Sequence, residues 1–423
     1  MHGRNQRRAA GGITVVALEQ AVSAPFASRQ LGDLGARVIK VERVGEGDFA
    51  RHYDSEVRGM SSHFVWVNRN KQSLALDFKA PAGRAILDDL IKNADVVIQN
   101  LAPGTAEKLG LTATVLVAKH PRLIACDVSG YGQGGPYQAK RAYDLLVQAE
   151  TASIATTGWP DNPAKPGIPI ADLTAGTYAF SSILAALYER EKTGRGRAIS
   201  VSLFDAISEW MGYSIYFTAY SGRCHEPNGI SHPTLSPYEA FATADDRLVV
   251  VGVQNDREWH RLVTEVLGRP ELADDPRYAT GKARTAHRDE VTSLCSEVIS
   301  RYELDEAIEV LDAAGVACGR VNRADELVAH PQLEARNRWR EVDSPVGPIR
   351  SLLPPGVSAG WTPRMDRIPA LGEDSRAVLK AVGRTDGDVD GLIRAGTVGV
   401  PSAHDPNRTA DPAAGATGRD LSV

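Results

Sequence analysis

Short apolar runs alternate with helix-like segments over the first third of the chain. The runs ITVVAL, RVIKVE, DVVIQN and RLIACDVS are separated by segments such as PFASRQLGDLGA, PAGRAILDDLIKNA and PGTAEKLG. Runs of this length are typical of strands that are buried on both faces, whereas the intervening segments have helical spacing. The alternation predicts an α/β class protein whose large domain is doubly wound and Rossmann-like, with a parallel sheet.

The pattern changes after residue 221. A segment rich in Pro, His and Gly predicts a linker, and the strand pair and amphipathic helices that follow predict a smaller α+β domain. Both ends of the chain contain few large apolar residues, which favours disorder. We therefore expect a disordered extension (1–12), a large domain (13–221), a linker (222–237), a small domain (238–325), a return to the large domain (326–400) and a disordered tail (401–423).

Composition excludes several classes of protein. The formal net charge is −5 with dispersed Lys and Arg, so no basic face for nucleic acid is expected. No apolar run reaches the roughly 18 residues of a membrane helix, and Glu19 and Gln20 interrupt the first apolar segment, which argues against a secretory signal. The Cys residues are far apart without metal-ligand spacing, which predicts a cytoplasmic protein without a structural metal.

One carboxylate, Asp172, lies between an apolar run and a long helix rich in small residues. The simplest interpretation is a helix N-cap, because Asp accepts hydrogen bonds from the free N–H groups at a helix start. The alternative is a nucleophile, since the helix dipole keeps a carboxylate ionised and the neighbouring Ala171, Ala175 and Gly176 leave room for a ligand. The junction by itself leaves both interpretations open.

The segment GYGQGG, Gly130 to Gly135, matches the spacing of a dinucleotide-binding loop and follows a predicted strand. In a dinucleotide site a helix opens at this turn, whereas Pro136 and a polar segment intervene here. We therefore favour a glycine loop that lets the backbone approach a ligand over a nicotinamide site.

Basic and amide side chains occur close to several predicted strands. In open α/β sheets ligands bind outside the carboxyl ends of the strands, so these groups could bind a phosphorylated ligand. Solvated surface charges are the simpler alternative. The group consists of Arg43, Arg51, Arg69, Lys71, Asn100 and Lys108.

Six separated motifs occur in one order: QLGDLGARVIKVER, NRNKQSLALDFK, DVVIQNLAPG, SGYGQGGPY, the isolated Asp172 and EREKTGRG. Together they resemble the class III coenzyme A transferase family, which includes formyl-CoA transferase and has a branch with α-methylacyl-CoA racemase. The resemblance implies that Asp172 attacks an acyl-CoA thioester to form a mixed anhydride, after which a second carboxylic acid leaves as the new CoA ester. It implies no cofactor and no metal, because coenzyme A enters as a substrate.

The resemblance also implies an interlocked homodimer, in which each chain forms a ring threaded by its partner. It further implies that a set of residues lies near CoA or the reacting carbonyl. These residues are Arg43, Lys71, Asn100, Lys108, Arg141, Tyr143, Gln20 and the loop glycines Gly130, Gly132 and Gly135.

Three departures from the family pattern bear on specificity. Val22 stands where formyl-CoA transferases carry a Gln, with Gln20 displaced, and VGVQNDREW replaces a glycine-rich loop, which puts formate or oxalate specificity in doubt. Tyr143 stands where the racemase branch has a His, and a phenol is a poor base at neutral pH. Racemisation and non-catalytic CoA binding remain the alternatives to CoA transfer.

Overall fold

The computed structural model describes residues 9–356 and 360–401 of the chain. Its strands are β1 (Thr14–Leu18), β2 (Arg37–Glu42), β3 (Lys71–Leu76), β4 (Val96–Gln99), β5 (Ile124–Ser129), β6 (Gly158–Trp159), β7 (Asn162–Pro163), β8 (Ala198–Ser202), β9 (Tyr238–Ala242), β10 (Leu248–Gly252), β11 (Ala317–Arg320), β12 (Trp339–Val342), β13 (Ile349–Leu352) and β14 (Val398–Gly399).

The α-helices of the same residues are α1 (Ser23–Asp33), α2 (Ser62–Val67), α3 (Pro81–Lys92), α4 (Thr105–Leu109), α5 (Ala113–Lys119), α6 (Asp144–Glu150), α7 (Ile170–Thr193), α8 (Leu203–Trp210), α9 (Gly212–Ser221), α10 (Asp256–Arg261), α11 (Gly281–Ala286), α12 (Arg288–Ile299), α13 (Leu304–Ala313), α14 (Ala324–Val328), α15 (Pro331–Ala335), α16 (Ser375–Ala381) and α17 (Asp386–Arg394). Short 3-10 helices at Phe49–His52 and Pro270–Leu272 and a π-helical turn at Leu262–Val266 complete the helical segments.

The main sheet has the strand order β14-β3-β2-β1-β4-β5-β8. All neighbours from β3 to β8 run parallel, and β14 pairs antiparallel with β3 at one edge. The strand order reverses at β1, which lies between β2 and β4, as in a doubly wound sheet. The predicted Rossmann-like parallel sheet is therefore confirmed.

Side chains of β1 alternate between two apolar cores, one on each face of this sheet. Val15 and Ala17 belong to the core that includes residues of α1 and α7. Val16 and Leu18 belong to the core that includes residues of α3, α5, α16 and α17. Burial on both faces explains why the strand is a continuous apolar run.

The described chain divides into two compact units. The larger contains the described residues up to Ser153, Pro166–Tyr216 and those from Asn337 onward; the smaller contains Ile154–Lys165 and Phe217–Arg336. The smaller unit has an antiparallel sheet, β11-β10-β9, and an apolar core that includes Trp259. It is the α+β domain expected from the sequence.

The boundaries of these units differ from the predicted ones. The segment 222–237, predicted to be a linker, and residues 326–336 belong to the smaller unit, as does the separate segment 154–165. At the N-terminus, Ala10 is buried and its N–H donates a 3.0 Å hydrogen bond to the carbonyl oxygen of Leu34, so the predicted disorder is wrong there. Residues 1–8 and 402–423 lie outside the described residues.

Candidate active site

Asp172 lies in the first turn of α7 and is not its N-cap. The helix begins at Ile170, and the N-cap residue, Pro169, makes no capping hydrogen bond with its side chain. Asp144, the first residue of α6, supplies the cap instead: its Oδ1 accepts hydrogen bonds from the N–H groups of Ala171 at 2.9 Å and Asp172 at 3.1 Å. A second carboxylate therefore satisfies the helix terminus, and the carboxylate of Asp172 is left for other contacts.

The surroundings of Asp172 favour its protonated form. Burial and the nearby charge of Asp144 raise the pKa of Asp172 to about 7, although the hydroxyl of Ser23 donates a hydrogen bond that opposes the shift. Burial and a neighbouring carboxylate both disfavour a negative charge. The helix dipole was expected to keep Asp172 ionised, whereas a pKa of about 7 leaves part of it protonated at neutral pH.

The small residues of α7 serve close packing. Ala171 and Ala175 are fully buried in the core that α7 shares with α1. A Cβ atom placed on Gly176 would lie 2.6 Å from the carbonyl oxygen of Ser23, so only glycine allows this approach of the two helices. The small residues bring the first turn of α1 against α7, and the expectation that they leave room for a ligand is wrong at these three positions.

Asn100, predicted to lie near CoA, holds the loop between β1 and α1. Its side-chain amide donates to the carbonyl oxygen of Gln20 at 2.8 Å, and its Oδ1 accepts from the N–H of Gln20 at 2.8 Å. Both backbone groups of Gln20 are thus paired with one side chain that follows β4. The structure brings these two predicted residues together and gives Asn100 a structural role.

Lys71, also predicted to lie near CoA, is fully buried. It begins β3, and its ammonium group donates to Glu19 at 2.6 Å, to the carbonyl oxygen of Pro25 at 3.0 Å and to Asn68 at 2.9 Å. An ammonium group has three hydrogens, so these contacts occupy all of them. Burial lowers the pKa of Lys71 to about 7 although Glu19 opposes the shift. The ammonium group of Lys71 is thus engaged within the protein, and its predicted place near CoA stays a prediction.

Lys71 belongs to a buried network of charged side chains beside the same loop. Glu19 is also 3.5 Å from the ammonium group of Lys40, which donates to Asp48 at 2.7 Å. The charges of Lys71 and Lys40 lower the pKa of Glu19 despite its burial. Buried charges need partners of this kind, because an unpaired one would be strongly destabilising. Sequence reasoning missed Glu19, Lys40 and Asp48 because a strand and its ends contain many charged residues without such contacts.

The glycine loop follows β5 as predicted. A Cβ atom on Gly130 would lie 2.1 Å from the Cβ of Ala142, so this glycine allows the loop to pack against the segment that leads into α6. Gly132 and Gly135 have φ values of 84° and 75°, which L side chains rarely adopt. The loop residues Gly132 to Gly135 are partly or fully exposed, so their backbone is open to a ligand.

The remaining predicted residues are more exposed. Arg43 forms a surface ion pair with Glu46, and Lys108 and Arg141 are exposed on α4 and before α6. Tyr143 is the residue before α6 and is 62% exposed, so its phenol is open to solvent one residue from Asp144. These side chains are available to a ligand, whereas those of Lys71 and Asn100 are engaged within the protein.

Tyr53 is a neighbour of Asp172 that sequence reasoning missed. Burial and the nearby carboxylates of Asp48 and Asp172 raise the pKa of Tyr53 to about 12, so its phenol stays protonated at neutral pH. Its ring makes an edge contact with His63, with 5.2 Å between centroids. Tyr53 lies in a segment without regular hydrophobic spacing after a glycine turn. Nothing in this local sequence indicates that the residue lies near Asp172.

Helix α7 is long and apolar enough to span a membrane by length and composition alone. Asp172 and Glu189 bound its uncharged stretch, so the sequence-based statement about an uninterrupted run of roughly 18 apolar residues is not contradicted. The helix nevertheless contributes Ala171, Ala175, Ala179 and Ile183 to the core beside the main sheet. A core helix of a folded domain passes the same test.

Comparisons with known proteins agree with the fold. The model of CoA-transferase family III matches residues 11–375. Succinate–glutarate CoA-transferase of Agrobacterium fabrum is 34% identical over 385 residues, which are 89% of this chain and 96% of that protein. Acetyl-CoA:oxalate CoA-transferase of Acetobacter aceti is 36% identical over 328 residues, 77% of this chain and 84% of that protein. The crystal structure of a CAIB/BAIF family protein from Brucella suis matches with a TM-score of 0.78 and 34% identity, covering 89% of this chain and 100% of that one.

Proposed function

The chain belongs to CoA-transferase family III, and on this premise we propose that it transfers coenzyme A through a covalent intermediate on Asp172. As a CoA-transferase it moves coenzyme A between an acyl-CoA and a carboxylic acid. The observation that carries the proposed mechanism is the position of Asp172: Asp144 caps the helix in its place, and burial beside Asp144 raises the pKa of Asp172 to about 7. A carboxylate of raised pKa is a more basic nucleophile once it is ionised.

The proposed reaction has four steps. The Asp172 carboxylate attacks the thioester carbonyl, the C–S bond breaks, and CoA thiolate leaves from a mixed anhydride. The thiolate then attacks the aspartyl carbonyl, which gives an aspartyl-CoA thioester and releases the first carboxylate. The acceptor carboxylate attacks this thioester and forms a second anhydride with release of thiolate, which attacks the acceptor carbonyl to give the new CoA ester and free Asp172. One thioester replaces another, so the balance needs neither ATP nor a metal.

We propose dicarboxylic substrates, because the name of the related transferase of Agrobacterium fabrum specifies succinate and glutarate. The exposed Arg43, Lys108 and Arg141 are the predicted residues with free access to the phosphates of CoA. The exposed backbone of the glycine loop is the corresponding candidate to contact the acyl group. Lys71 and Asn100 are weaker candidates for this role, because their side chains are engaged within the protein.

A screen of acyl-CoA donors against carboxylate acceptors, read by mass spectrometry, tests the proposal. In the unmodified protein, hydroxylamine added with a substrate acyl-CoA converts an activated carboxylate to a hydroxamate, which peptide mapping should place at Asp172. Asp88→Asn is a matched control, because Asp88 is a 57% exposed Asp on α3. A hydroxamate absent from Asp172 during active turnover would contradict the covalent mechanism.

The proposed assembly is a homodimer. Helix α9 has no buried residue, and the large side chains of Trp210, just before it, and Ile215 are exposed by 56% and 49%. Exposed apolar patches of this kind are typical of interfaces between proteins. Because threaded chains separate only when a chain opens, the dimer should persist on dilution. A monomer at nanomolar concentration in mass photometry would contradict interlocking.

A further inference from the structure

Ser23, the first residue of α1, lies beside Asp172. It is only 3% exposed, and its hydroxyl is close enough to the Asp172 carboxyl to lower the pKa of that group by hydrogen bonding. The helix contact at Gly176 independently places the two residues together: a Cβ there would be 2.6 Å from the carbonyl oxygen of Ser23, and Gly176 lies one turn after Asp172 on the same face of α7. The first turn of α1 therefore packs against the face of α7 that carries Asp172.

Side chains from three parts of the chain hold the loop that leads to Ser23. They pair with the consecutive backbone groups of residues 19–21. The pairs are Lys40 Nζ with the carbonyl oxygen of Glu19 (3.3 Å), Asn100 with the N–H and carbonyl oxygen of Gln20 (2.8 Å each) and Asp48 Oδ1 with the N–H of Ala21 (3.0 Å).

The backbone of this loop is strained. Ala21 has a φ of 62°, in the left-handed region that costs energy for a residue with a Cβ atom. Such conformations persist only where the surrounding structure holds them, and they are concentrated at functional sites. The loop is followed by Val22 and then Ser23, so the fixed backbone determines where the hydroxyl of Ser23 lies.

We propose that Ser23 is a positioning residue, whose hydroxyl orients the Asp172 carboxylate and stabilises its ionised form. This inference rests on the proposed function of Asp172 as the nucleophile. A hydroxyl that donates to one carboxylate oxygen fixes the group in one orientation and leaves the other oxygen for attack. The other groups near Asp172 act differently: the charge of Asp144 opposes ionisation, and the protonated phenol of Tyr53 lies near Tyr143. Ser23 is thus the neighbour whose hydrogen bond favours the reactive form.

Ser23→Ala tests the inference, with the pH dependence of kcat/KM as the readout. A hydrogen bond to the ionised form lowers a pKa, so its loss should move the acid limb to higher pH by about one unit. Below both midpoints, kcat/KM should then fall about tenfold. Thr174→Val is the matched control, because the buried Thr174 hydroxyl donates to the carbonyl oxygen of Ala171 at 2.9 Å, and its loss should leave the limb in place.

The outcomes separate the two claims. If Asp172→Asn is inactive and Ser23→Ala keeps the acid limb of the unmodified protein, the role of Ser23 is refuted while the nucleophile stands. If Asp172→Asn remains active, the proposed function fails and this inference fails with it. Should Ser23→Ala not fold, Ser23→Cys serves instead, because a thiol is a similar but weaker donor. It should shift the limb in the same direction, and an unshifted limb would refute the inference.

Discussion

Asp172→Asn should abolish catalysis and stabilise the protein at alkaline pH. The carboxylate has a folded-state pKa of about 7, above its ordinary value of 3.8. The folded protein therefore holds a proton that the unfolded chain has lost between these two pH values. Raising the pH through this window reduces the free energy of unfolding, and the penalty is complete above pH 7. Asn carries no charge, so the variant avoids this penalty.

The magnitude follows from the same shift. A difference of about 3 pKa units corresponds to about 4 kcal/mol as an upper bound. Asp172 is partly exposed, and water screens part of this penalty, so we expect a gain of about 1 to 2 kcal/mol at pH 8. The first turn of α7 should be retained, because Asp144 caps it through backbone N–H groups that Asn also has. Activity should fall by at least about a thousandfold, or about 4 kcal/mol of transition-state stabilisation.

Thermal unfolding of the two proteins at pH 8 and pH 5, with turnover at pH 8, measures both effects. We expect a higher Tm for the variant at pH 8 and a smaller difference at pH 5, where the Asp is mostly protonated in the folded state. The Asp88→Asn control should show neither the pH-dependent gain nor the loss of activity. If the variant is less stable than the unmodified protein at pH 8, the folded protein stabilises the charge of Asp172 and the reasoning on its pKa is refuted. Near-normal turnover of the variant would refute the role of Asp172 as nucleophile.

Three further results are expected. In the unmodified protein kcat/KM should rise with pH through about 7, because the ionised Asp172 is the reactive form; a profile flat from pH 5.5 to 8 would contradict this. Asn100→Ala should lower the free energy of unfolding by about 1–3 kcal/mol, because both backbone groups of Gln20 lose their partner. The KM for acyl-CoA should change little. A large change in KM at unaltered stability would instead favour a direct contact between Asn100 and CoA. A chiral 2-methylacyl-CoA incubated in deuterated water should keep its α-hydrogen, because Tyr143 is a poor base, and rapid incorporation of deuterium would favour racemisation.

Local sequence contains the information for the sheet and for the glycine loop. The strands of the main sheet are apolar because both faces are buried, and that pattern is visible without coordinates. The positive φ values of Gly132 and Gly135 could likewise be expected from the sequence, because glycine adopts such values readily and the segment is rich in glycine. The boundaries of the smaller unit were less predictable, because segment 154–165 joins it through contacts with residues distant in sequence.

The roles of individual polar residues depended on contacts across the fold. Lys71 and Arg43 are both basic residues near predicted strands, yet Lys71 is buried among Glu19, Asn68 and a carbonyl group whereas Arg43 is at the surface. A sequence lists charges but not the distances between them, and a buried charge differs from a solvated one through its partners.

The sequence by itself determined the α/β architecture, the family motifs and the choice of Asp172 as the residue to test. Only the tertiary structure decided what Asp172 experiences. Asp144 is 28 residues away in the chain, yet it caps α7 and raises the pKa of Asp172. Ser23 is farther away still, because it begins α1 near the start of the chain. The spacing of apolar residues indicates which face of a strand or helix is buried, because that spacing depends only on local backbone geometry. The protonation of one carboxylate depends on burial and charge supplied by residues that only folding brings together.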